Sequence, residues 1–126
     1  MARRPAIHDA EPSVVVSHGA DFFGEDRHLV CDITVLGGWL RSGIPRVSLG
    51  DAAMLVTAME EPSDQVVFPP AYLGEWAGYL LKISRDRYLK PPLSAVARSL
   101  ADSAARAAEA GDPWTWTLTH PGRNAA

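Results

Sequence analysis

A small α+β fold, with a sheet of about three strands packed by four helices, is what the sequence predicts. Three observations predict it. Short runs of strand character stand at Val14–Val16, Gln65–Phe68 and Trp114–His120. Four longer stretches between them carry apolar residues at helical spacing. Gly and Pro residues, ten of each, punctuate the chain near their ends. The expected order is β-α-α-β-α-α-β. With 126 residues the chain fits one domain. That domain is expected over 13–120, with flexible tails at 1–12 and 121–126.

Val14, Val15 and Val16 are β-branched and bounded by Pro12 and Gly19, which favours a buried strand. From Glu25 the period changes. Leu29, Ile33, Leu36 and Leu40 recur at helical spacing, with Glu25 and Asp26 in the expected first turn and Gly43 as the stop. Gly37-Gly38 inside this helix calls for a close approach or a kink, since each Gly costs about 1 kcal/mol relative to Ala. Ser48 is a candidate cap for a second helix, whose face is Ala52, Leu55, Val56 and Met59.

After Q-V-V-F, Pro70 suits the first turn of a third helix carrying Leu73, Trp76, Leu80 and Leu81. Lys82, Arg85, Arg87 and Lys90 gather at its expected end, and Pro91-Pro92 are expected to break it. The fourth helix is Ala-rich, with Leu93, Val96, Ala97, Leu100, Ala104 and Ala107 facing inward and Gly111 as its stop. In W-T-W-T-L-T-H the residues Trp114, Trp116, Leu118 and His120 are expected to share one face and the Thr residues the other. If every element reverses direction, the first and third strands run parallel. His18 and His120 then meet at one edge of the sheet.

Composition excludes several classes. A net charge of −3 does not point to nucleic acid or anionic lipid held by bulk charge. No apolar run reaches the length of a membrane span, and the first residues lack the apolar core of a signal peptide. Cys31 is the single cysteine, so the chain forms no internal disulfide and offers no cysteine-based metal site. A cytoplasmic location is expected, with no cofactor and no metal site.

Two candidate sites stand out. His18, Asp21, His28 and His120 hold residue types suited to acid–base or metal chemistry, with the carboxylate fixing a tautomer. Their spacing matches no metal signature. The turn G-A-D-F-F-G has a P-loop outline, but Glu25 and Asp26 stand where Lys and Ser or Thr are needed, so phosphate is excluded there. The second site is K-I-S-R-D-R-Y-L-K, where four basic residues outweigh Asp86 to give a local charge of +3. Arg85, Arg87, Tyr88 and Lys90 could meet an acidic partner or a nucleic-acid backbone, or simply complement a helix dipole. Glu60, Glu61 and Asp64 form an acidic patch that could pair with it between copies, so a homo-oligomer is compatible with the sequence. Cys31 reads as a small buried hydrophobe, and Trp114 and Trp116 as core.

The segment S-H-G-A-D-F-F-G-E-D-R, Ser17 to Arg27, resembles the start of a family of small uncharacterised actinobacterial domains. The resemblance implies no activity, ligand or site residue. The expected function is a non-enzymatic binding or regulatory module for a macromolecular, protein partner. The alternative is a small hydrolase or metal-dependent enzyme using His18, Asp21 and His120.

Overall fold

The computed structural model describes residues 11–18, 26–44 and 49–119. Among them are four α-helices and four strands: β1 (Ser13–His18), β2 (Asp26–Leu29), α1 (Val30–Gly43), α2 (Leu49–Glu60), β3 (Gln65–Phe68), α3 (Leu73–Ser84), α4 (Pro91–Ala110) and β4 (Trp114–Thr119). A single 3-10 turn, Pro70–Tyr72, leads into α3. The strands form one antiparallel sheet in the order β2-β1-β4-β3. The α+β class holds, with one more strand than the sequence suggests.

That extra strand, β2, overturns a second expectation. Asp26–Leu29 is not the first turn of a helix. It pairs with β1, with Val14 opposite His28 and Val16 opposite Asp26. Leu29 matches the helical spacing of Ile33 and Leu36, but periodicity over so few residues cannot separate strand from helix. Pairing with β1 satisfies the backbone, and the helix starts one residue later. One added reversal also inverts the direction of everything after it. β4 therefore runs antiparallel to β1, with Val16 opposite Trp116 and His18 opposite Trp114.

Alternation along the strands sorts the two faces of the sheet. Val14, Val16, Trp114, Trp116 and Phe68 point inward and are buried with the helices in one apolar cluster. Leu118, on the same face, is only partly buried. Ser17, Thr115, Thr117 and Thr119 lie on the other face and are partly exposed. Phe68 sits at the centre of an aromatic group. Its ring centroid is 5.3 Å from Trp76, 5.7 Å from Trp114 and 5.4 Å from Trp116. Two of these contacts are edge-to-face, the arrangement the ring quadrupoles favour. Trp114 donates its ring N–H to Ser103 Oγ at 2.8 Å.

The helices are closed off in different ways. Gly111 takes the left-handed conformation (φ 71°). Its N–H reaches Ala108 O at 3.2 Å while the Asp112 N–H reaches Ala107 O at 2.9 Å. These two bonds form a Schellman ending. Gly43 is the last residue of α1 without a positive φ, so α1 does not end on a left-handed glycine. Gly37 does mark a close approach. A Cβ there would lie 3.0 Å from both Glu60 Cγ and Met59 Cβ at the end of α2. Ser48, the expected cap of α2, lies outside the described residues. Pro91-Pro92 do not break α3, which has already stopped at Ser84. They open α4 instead, where their missing N–H groups are no loss.

Candidate functional site

The pairing of β1 with β4 bears on the histidines. His18 ends β1 opposite Trp114, whereas Thr119, which precedes His120, lies opposite Ser13 at the other end of β1. The two strand ends are thus about 17 Å apart along the sheet, at about 3.3 Å per residue. The parallel arrangement that would have set both at one edge is corrected. Asp21, His120 and the His18 side chain lie outside the described residues. Among the described residues no cluster of three or more His, Cys, Asp or Glu is arranged to hold a metal ion.

The basic run divides into two parts. Lys82 lies in the last turn of α3, where the dipole favours a cation. Arg85, Arg87 and Lys90 lie beyond it, in a tight turn between α3 and α4. Asp86 builds that turn. Its backbone N–H donates to Ile83 O at 3.0 Å, and its backbone carbonyl accepts from Leu89 N–H at 3.1 Å. Its side-chain Oδ1 accepts from Tyr88 N–H at 2.8 Å. Buried Leu89 anchors the turn to the core. Ser94 Oγ, in α4, donates to Ser84 O and ties the two helix ends together.

On this scaffold Tyr88 is 73% exposed. The Arg87 guanidinium lies 5.0 Å from its ring centroid, and Nη2 donates to the Tyr88 hydroxyl at 3.0 Å. Among the described residues none of Lys82, Arg85, Arg87 and Lys90 forms an ion pair. Lys90 occupies the N-cap position of α4 without a side-chain capping bond, and α4 has no acidic residue in its first turn. A cation there opposes the helix dipole, so dipole complementation does not account for it.

The acidic patch is also revised. Glu60 is already engaged within the chain, where Arg41 forms two hydrogen bonds to it at 3.1 and 2.6 Å. The bond to Arg41 holds the Glu60 carboxyl below its usual range. Glu61 and Asp64 remain exposed.

One more feature escaped sequence reasoning. A cleft of about 510 Å³ opens between β2 and α4, lined by Asp26, Ala95, Arg98, Ser99, Asp102 and Arg106. Beside it His28 Nε2 lies 3.5 Å from Ser99 Oγ. Burial lowers the His28 pKa below 6.5, outweighing the nearby carboxylates of Asp26 and Asp32. The available signal was the alternation D-R-H-L, which sets Asp26 and His28 on one face of a strand. Cys31, expected to be buried, is exposed. Burial of part of the group and the charges of Asp32 and Glu11 push its thiol pKa up, away from a reactive thiolate.

No curated protein and no solved structure gives a significant match to the chain. A family model described as "Domain of unknown function (DUF7739)" matches residues 19–117, and the chain belongs to that family.

Proposed function

We propose that this domain is a non-enzymatic binding module that docks an acidic protein partner on the Arg85–Lys90 turn. The observation that carries this reading is a hydrogen-bonded turn presenting an exposed Tyr-Arg pair amid cations without ion-pair partners among the described residues. Tyr and Arg are the residue types that concentrate binding energy at interfaces. Asp86 and Leu89 order the turn in advance, which lowers the entropic cost of docking. Among the described residues no helix is long and apolar enough to cross a membrane. With one cysteine in the chain, we place the module in the cytoplasm.

The enzyme reading through His18, Asp21 and His120 has less behind it, because it relied on parallel strands. The test is an affinity capture with the wild type and an Arg85→Glu/Arg87→Glu variant. The wild type should retain a partner that elutes with salt, and the variant should lose it at an unchanged thermal midpoint. Equal retention by both proteins would return the turn to a solvated surface.

A further inference from the structure

Arg98 and Asp102 border two cavities at once. On one side is the polar cleft of about 510 Å³ against β2. On the other is a groove of about 200 Å³ between α3 and α4, walled by Ala77, Gly78, Leu81, Ala101 and Ala105. We propose that the two together form a binding site for a free α-amino acid with an apolar side chain. This site is separate from the Arg85–Lys90 turn.

The charges of the cleft select the head group. Its lining holds two carboxylates, Asp26 and Asp102, and two guanidiniums, Arg98 and Arg106. A simple anion entering it meets both carboxylates. A simple cation meets both guanidiniums. A dipolar ion meets an opposite charge at each end. Among the described residues neither Asp26 nor Arg98 forms an ion pair. Asp26 is therefore available to an ammonium and Arg98 to a carboxylate, for which its planar fork is suited. Asp102 and Arg106 form only an exposed pair at 3.6 Å, so exchanging it for ligand contacts costs little. Ser99 and His28 add hydrogen-bonding groups at the cleft.

The neighbouring groove selects the rest of the molecule. Its walls are mostly small and apolar, and a Cβ at Gly78 would meet nothing within 4 Å. Because Arg98 and Asp102 line both cavities, a single small ligand can set its charged part in the cleft and its apolar part toward the groove. An α-amino acid joins them at one carbon. A peptide end carries only one of the two charges.

The experiment is an NMR titration of the full chain, labelled with nitrogen-15, using L-leucine as probe. Glycine, N-acetylleucine and leucinamide are the comparison ligands. Leucine should produce saturable shifts at residues 26–28, 77–81 and 95–106. Removing either ligand charge should weaken binding by about tenfold or more, the expected loss for a hydrogen bond to a charged group. Glycine should bind more weakly for want of an apolar part. Asp26→Asn and Arg98→Gln should each reproduce the loss while keeping the wild-type thermal midpoint. Absence of saturable shifts up to ~10 mM leucine, beyond the millimolar range of weak specific ligands, would overturn the proposal. So would binding of either blocked derivative as tightly as leucine itself, a result that needs no variant.

Discussion

Gly37 and Gly38 are adjacent in one helix, yet alanine should stabilise the chain only at Gly38. In both cases alanine gains about 1 kcal/mol of helix propensity. At Gly38 a new Cβ meets nothing within 4 Å, so the gain is kept. For a chain of 126 residues an unfolding entropy of about 2.1 cal/mol/K per residue makes 1 kcal/mol worth about 4 °C in thermal midpoint. At Gly37 the new Cβ would stand 3.0 Å from Met59 Cβ and Glu60 Cγ. Glu60 is a flexible side chain, but it is held by Arg41. Met59 is buried, and its Cβ moves only with the backbone of α2. Overpacking of this kind costs about 1–3 kcal/mol, which leaves Gly37→Ala neutral to about 2 kcal/mol destabilised. Urea denaturation with circular dichroism measures both variants. If Gly37→Ala stabilises as much as Gly38→Ala, the packing of α1 against the end of α2 is wrong.

Ser103→Ala strands the buried Trp114 ring N–H, which should cost about 1–3 kcal/mol in the same denaturation assay, less a few tenths returned by helix propensity. A loss below about 0.5 kcal/mol would mean that this hydrogen bond is not made. His28 carries a predicted pH dependence. Its folded pKa lies below the unfolded value of 6.5, so the unfolded chain takes up the proton first as pH falls. Its contribution is therefore full above about pH 6.5 and is lost below it, and His28→Gln should shrink the stability difference between about pH 7.5 and 5.5. An identical difference in wild type and variant would show that His28 titrates as a solvated group.

Much of the architecture is legible from local pattern. The bounds of β3 and the faces of β4 follow from β-branched and alternating residues, and the Gly111 stop follows from its place after an Ala-rich stripe. Gly37 announced a close approach, although only the structure says that α2 makes it. The strand β2 was not legible. Four residues with one continuation of a helical period, Leu29, are settled by backbone pairing with the edge of β1 rather than by their own pattern. Missing that one strand reversed the inferred direction of β4, and with it the expected meeting of two histidines. The cleft stayed hidden for the same reason. Asp26 and His28 face Ser99 only because they stand on a strand, and Ser99 is remote in sequence. The Arg85–Lys90 group was visible by charge. Its form as an ordered turn rests on Asp86 and Leu89, whose roles are tertiary.

The central claim is that a partner touches the Arg85–Lys90 turn, and photocrosslinking from within that turn tests it most directly. A benzophenone amino acid is placed at Tyr88, which is 73% exposed, and for comparison at Met54, an exposed residue of α2. Irradiation in cell extract should give one discrete adduct from position 88 and none from position 54. That adduct should disappear with Arg85→Glu/Arg87→Glu and fade as salt is raised, as screening of charged contacts requires. The same adduct from both positions, or one from position 88 that survives charge reversal and high salt, would contradict the assignment of the turn as the docking surface.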